Sequence, residues 1–353
     1  MRDNRKTRVQ SSSMTLSPLP AQPADTPWPT EAWPKGDLPA GLDKARFDTL
    51  LGQAFDNDEA VGATHALAVF QGGRLVFERY GQGFDAKGTY PSWSMAKSIT
   101  QALVGLLAAD GKLDIHAPAD VPEWKTPGDP RAAITLDQLL RMSSGLAFVE
   151  DYVPGHTSDV IEMLFGTGKA DVAHYAASQP LAHPPGEFWS YASGTTNIIA
   201  RLAAQAAGGD LKTYMRQRLF EPLGMQSPIP KFDAAGTFIG SSYCFATAQD
   251  FARFGLLYLR GGIWEGRQLL PAEWVDYART PTFQQPGVVE GRYGAHWWID
   301  TAGPGTFSCN GYDGQFIVLV PDLDLIIVRN GATPLDKKDA LKASVGQMVE
   351  CFR

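Results

Sequence analysis

At 353 residues, with 44% apolar and 20% charged side chains, the chain has the composition of a soluble protein able to bury one large core or two smaller ones. A formal net charge of -7, with no basic cluster beyond Arg2 to Arg8, argues against a nucleic-acid-binding surface. No apolar run approaches the length of a membrane span, so no membrane partner is expected.

In chain order, Pro18, Pro20, Pro23, Pro27, Pro29, Pro34 and Pro39 make residues 1–40 an extended or disordered extension, preceded by the basic run as a disordered tail. Trp28 and Trp33 predict that its later part lies against the globular body. Leu42 to Phe55 has helical apolar spacing. Residues 66–70 and 74–80 flank Gly72-Gly73 and predict a β-hairpin. From Ser94 to about residue 225 the pattern is mainly helical, with Thr196 to Ala207 and Leu211 to Leu219 the clearer helices. Thr247 is a good N-cap for a helix running to Leu259 and stopped by Gly261-Gly262. Arg292 to Ile299 is strand-like, residues 315–320 and 325–328 predict a second hairpin, and Asp336 to Phe352 a closing helix. Strands at both ends with helices between them imply one sheet built from distant segments.

The chemistry-bearing feature is Ser94 with Lys97 three residues on, in Ser92-Trp93-Ser94-Met95-Ala96-Lys97. Positions i and i+3 share one helix face, so the lysine can reach back to the serine hydroxyl. A serine alcohol becomes a competent nucleophile only when a neighbour takes its proton, and an amine can do so. No other serine in the chain has a lysine at i+3. Pro91 before it and the apolar run 99–108 after it place Ser94 at or near a helix N-terminus.

Four further stretches follow in order: 136–146 with Met142-Ser143-Ser144-Gly145, 185–194 with Tyr191-Ala192-Ser193, 246–255, and Asn310-Gly311-Tyr312-Asp313-Gly314-Gln315. With the Ser-x-x-Lys motif they resemble the penicillin-recognising serine hydrolases in the branch related to class C β-lactamases, above all 6-aminohexanoate-dimer hydrolases and their esterase relatives. The resemblance spans about residues 40–350. It implies an α/β, β-lactamase-like fold: an antiparallel sheet flanked by helices, with an all-α subdomain of about residues 100–235 inserted in a domain of residues 41–353.

The resemblance also implies roles. Tyr191 matches the family's catalytic tyrosine; a phenol of reference pKa about 10 serves as a base only beside a cation, which Lys97 would supply. The sequence leaves either of the two as resting base. Ser193 stands where many relatives have Asn, available to hydrogen-bond substrate or Lys97. Cys309-Asn310-Gly311 occupies the third motif, where relatives that handle β-lactams carry Lys or His at the Cys309 position. Gly311 would allow substrate close to the backbone, and the N–H groups of Ser94 and Tyr312 would form the oxyanion hole. Tyr152 matches a substrate-contacting tyrosine. Trp298, with Trp297 and Trp93, would wall an apolar cleft.

Other chemistries find little support. There is no Gly-x-Ser-x-Gly elbow, P-loop or dinucleotide fingerprint, and the six histidines lack metal-ligand spacing. The expectation is a cofactor-free, metal-free hydrolase of a small-molecule ester or linear amide. A β-lactamase or D,D-peptidase and a catalytically silent binding protein are the alternatives. Cys244, Cys309 and Cys351 are too few and scattered for a disulfide framework, and no secretory leader is visible, so the expected compartment is the cytoplasm.

Overall fold

The computed structural model describes residues 16–152, 155–156, 158–285 and 291–353; the basic run Arg2 to Arg8 lies outside them. The predicted first hairpin forms as β1 (Ala63–Gln71) and β2 (Arg74–Tyr80). Gly72 and Gly73, at φ 58° and 73°, supply the paired positive φ values that a two-residue hairpin turn requires. β3 (Arg292–Tyr293), β4 (Trp298–Ile299), β5 (Phe307–Gly311), β6 (Gln315–Val320) and β7 (Leu325–Ala332) complete a seven-stranded sheet. Its order is β2-β1-β7-β6-β5-β4-β3, and every pairing is antiparallel. The first and last strands thus lie side by side, Ala63 opposite Ala332 and Gln71 opposite Leu325. This is the β-lactamase-like architecture that the motifs imply.

Strand alternation separates two cores. Ala66, Ala68, Phe70, Ile317, Leu319, Ile326 and Val328 face a large cluster with α2 (Ala96–Ala109), α3 (Ser193–Ala206) and α4 (Ala248–Leu259). Leu67, Val69, Val318, Val320 and Ile327 face α1 (Lys44–Asp56) and α5 (Lys338–Glu350). Burying a Leu, Ile or Val side chain contributes about 1.5–3 kcal/mol, so both faces need their helical cover.

Helix boundaries follow local chemistry. Thr247 caps α4 by accepting the Asp250 N–H at 3.2 Å. Leu211–Met215 begins as α-helix, and Arg216–Phe220 continues it as a π-turn. The extension docks as its tryptophans predict: Trp33 packs on Phe70 with ring centroids 4.2 Å apart, and Trp28 on Trp264 at 5.2 Å. Among the described residues no helix is long and apolar enough to cross a membrane.

Candidate active site

Ser94 sits in a short 3-10 turn, Trp93–Met95, that leads directly into α2. The turn is tied down from behind: Ser92 Oγ donates to Ser242 O at 3.2 Å and accepts the Cys244 N–H at 2.9 Å. Trp93 takes φ 43°, unusual for so bulky a residue, immediately before the serine. Such a conformation persists only where the surroundings over-determine it, and here Tyr243 and Tyr312 hold the ring at 5.5 and 5.6 Å.

Lys97 lies one helical turn on and reaches back as its spacing predicts. Its Nζ donates to Ser94 Oγ at 2.8 Å, to Ser193 Oγ at 2.9 Å and to Ser241 O at 2.9 Å, which uses all three ammonium hydrogens. Because α2 is buried on every side, the lysine is 1% exposed. Burial pulls its pKa down from 10.5 to about 8, with the Glu150 carboxylate opposing that shift. Tyr191 flanks the same charge, its ring centroid 4.9 Å from Lys97 Nζ.

Glu150 is the site residue that sequence reasoning missed. Its carboxylate accepts from Ser193 Oγ at 2.7 Å, from the Ser193 N–H at 2.7 Å and from Tyr152 OH at 2.5 Å. The N–H contact places a negative charge at the N-terminus of α3, where unpaired donors and the helix dipole favour it. Lys97, Ser193 and Glu150 therefore form one chain of hydrogen bonds ending on a carboxylate. Burial and then Glu150 push the Tyr152 phenol well above its ordinary value, so it is a hydrogen-bond donor and not a base. A signal existed in the sequence, an acid two residues before the singled-out Tyr152. Nothing local placed it against Ser193.

A cavity of about 450 Å³ opens over Ser94, walled by Glu150, Tyr152, Tyr191, Trp298, Gly311 and Tyr312 among others. Tyr152 and Tyr312 meet at 5.0 Å, and Tyr191 and Trp298 at 5.4 Å. The remaining candidates fall into place unevenly. Ser193 is buried, and its one hydroxyl hydrogen goes to Glu150, so it takes the Lys97 option as an acceptor. The Cβ direction of Gly311 points at protein: a methyl there would stand 2.4 Å from Ser92 O, so this glycine lets β5 close on the Ser94 turn. Trp297 does not wall the cleft. It stands just before β4 and is fully buried on Tyr258, centroids 4.4 Å apart.

Cys309 is buried in β5, opposite Ile317, and burial raises its thiol pKa, so no cation stands at that position. Arg292 pairs with Asp300 at 2.7 Å. The cations that do line the cavity, Lys338 and Lys342, come from α5. No group of three or more His, Cys, Asp or Glu side chains suited to a metal ion occurs among the described residues.

Sheet and helices together define a β-lactamase-like fold, with Ser94, Lys97 and Tyr191 gathered at one cavity. The chain belongs to the Beta-lactamase family, whose model matches residues 51–344. It is 26% identical over 292 residues to the 6-aminohexanoate-dimer hydrolase of Paenarthrobacter ureafaciens, an alignment covering 77% of this chain and 73% of that protein. Among solved structures, a Bacillus anthracis protein assigned as a 6-aminohexanoate-dimer hydrolase superposes with a TM-score of 0.75 at 23% identity, over 94% of this chain and 89% of that one. A penicillin-binding protein homologue from Caulobacter crescentus gives 0.62 at 18% identity, over 88% and 98%. At these identities the structural likenesses speak for the fold alone.

Proposed function

We propose that the protein hydrolyses a small-molecule ester or linear amide through an acyl-enzyme on Ser94, in the manner of a 6-aminohexanoate-dimer hydrolase. The observation that carries this reading is the 2.8 Å contact from a fully buried Lys97 Nζ to Ser94 Oγ, with the lysine pKa lowered to about 8. A buried amine titrating near neutrality is available as a base where a solvated lysine is not.

In this mechanism neutral Lys97 takes the Ser94 proton as Oγ bonds to the substrate carbonyl carbon. The N–H groups of Ser94 and Tyr312 receive the oxyanion. The proton then passes by way of Tyr191, which flanks Lys97 and lines the cavity, to the departing oxygen or nitrogen as its bond to carbon breaks. Water repeats the sequence against the acyl group and frees the acid. Lys97 and Tyr191 act as one coupled unit. Tyr152 and Trp298 supply apolar walls for the substrate, and Gly311 and Ser193 support the machinery from behind.

The empty cation position at Cys309 favours neutral esters and linear amides over β-lactams. Hydrolysis of p-nitrophenyl butyrate, a linear aminohexanoate dimer and nitrocefin, compared by kcat/KM, tests the reading. Turnover of the ester or the dimer well above nitrocefin supports it, and nitrocefin as the best substrate replaces it with a β-lactamase.

A further inference from the structure

The turn Tyr312–Gly314 forms the cavity wall beside Ser94, and each of its carbonyls is drawn back into the protein. Gln315 Nε2 donates to Tyr312 O at 3.2 Å. The Thr333 N–H and Arg329 Nη1 both donate to Asp313 O at 3.0 Å, and the same Nη1 donates to Gly314 O at 2.9 Å. Arg329 spends its other donors on the neighbouring strand: Nη2 on Ala63 O at 2.8 Å and Thr64 Oγ1 at 3.2 Å, Nε on Thr64 Oγ1 at 3.3 Å.

This guanidinium belongs to β7, is 2% exposed, and has no carboxylate within ion-pair distance among the described residues. The Asp313 carboxylate attracts it only from beyond contact distance, and an arginine buried this way is tolerated only where every donor finds an acceptor. Two glycines make room for it. A methyl on Gly314 would lie 2.6 Å from Arg329 Nη1, and one on Gly331 2.4 Å from its Cζ. Burial lowers the arginine pKa to about 10, which leaves it a cation at neutral pH. The turn it grips is tight, with Asp313 at φ 59° and Gly314 at φ 77° in succession.

We propose that Arg329 is a positioning residue for oxyanion stabilisation: by gripping the carbonyls of Asp313 and Gly314 it fixes the turn that presents the Tyr312 N–H to the carbonyl attacked by Ser94. This rests on the hydrolase reading above and deepens it. An oxyanion donor helps only when it is already aimed at the developing charge, and losing one donor typically costs about 10²–10³-fold in kcat. A loosened turn loses part of that. The loss falls on kcat and not on KM, because the donor acts on the tetrahedral species more than on the ground state.

The test uses Arg329→Met and Arg329→Lys in the full chain, with turnover normalised to sites titrated to completion by a fluorophosphonate. Thermal melting and affinity for a phenylboronic acid, whose tetrahedral adduct on Ser94 carries the oxyanion, are measured alongside. In Arg329→Met we expect kcat per titrated site to fall about 30- to 300-fold, with KM within about 3-fold and boronate affinity falling in parallel. Arg329→Lys, which keeps the charge and part of the grip, recovers in part, to a loss of about 5- to 10-fold against wild type. A folded Arg329→Met with wild-type kcat per site and boronate affinity overturns the proposal, as does a loss confined to titre and melting temperature. Should Arg329→Met not fold, Arg329→Lys decides: a parallel loss near 10-fold supports the proposal, and values within about 2-fold of wild type overturn it. Failure of the underlying reading looks different, since Ser94→Ala would then still hydrolyse the ester.

Discussion

Glu150→Gln isolates the electrostatic heart of the site, because it removes a charge and keeps the shape. The carboxylate and the Lys97 ammonium are joined through one hydroxyl, by hydrogen bonds of 2.7 and 2.9 Å in series, so the charges lie about 5 Å apart. At an effective dielectric of about 20, unit charges at that separation attract by about 3 kcal/mol, or about two pK units. Removing the carboxylate leaves the ammonium buried with one stabiliser fewer, so the Lys97 pKa moves down from about 8 toward about 6. At pH 7 the neutral, proton-accepting fraction then rises from about one tenth to about nine tenths. The base is also weaker, so the plateau rate at high pH is lower than in wild type. The assay is kcat/KM for p-nitrophenyl butyrate across the neutral range at constant ionic strength. The rising limb should have its midpoint near 8 in wild type and about two units lower in Glu150→Gln. An unmoved midpoint, or one displaced upward, refutes the idea that Glu150 sets the charge state of Lys97.

Lys97→Ala and Tyr191→Phe should each remove most of the activity, and the double variant should lose little more, since groups in one proton-transfer unit are non-additive. Additive losses in the double-mutant cycle mean that they act separately. The missing cation at Cys309 removes an anchor worth about 1.5–3 kcal/mol to a β-lactam carboxylate, roughly one to two orders of magnitude in acylation. Steady-state comparison of nitrocefin with the butyrate ester checks this, and a wide preference for nitrocefin contradicts it.

What could be read from the chain was what local rules determine. Gly72-Gly73 between two alternating runs wrote the first hairpin, Thr247 wrote a helix start, and the i to i+3 spacing of Ser94 and Lys97 wrote the central contact. What escaped depends on pieces meeting from far apart. Glu150 acquires its place only when its loop closes on the first turn of α3, and Lys338 and Lys342 reach the cavity because α5 packs across the sheet. Trp297 and Trp298 read alike as neighbours in sequence. In the folded chain the first, just before β4, packs into the core on Tyr258, and the second, in β4, faces the cleft. Gly311 serves both neighbours: its backbone lines the cavity, and the space a Cβ would need is taken by Ser92 O.

The central claim is that Ser94 is the acylated nucleophile. Its most direct test is covalent labelling by a fluorophosphonate, with the modified residue located by mass spectrometry and Ser94→Ala as the control. The account predicts one label per chain on Ser94, loss of ester hydrolysis by several orders of magnitude in Ser94→Ala, and an unchanged fold by circular dichroism. Labelling of a different residue, or wild-type-like turnover by folded Ser94→Ala, would contradict it.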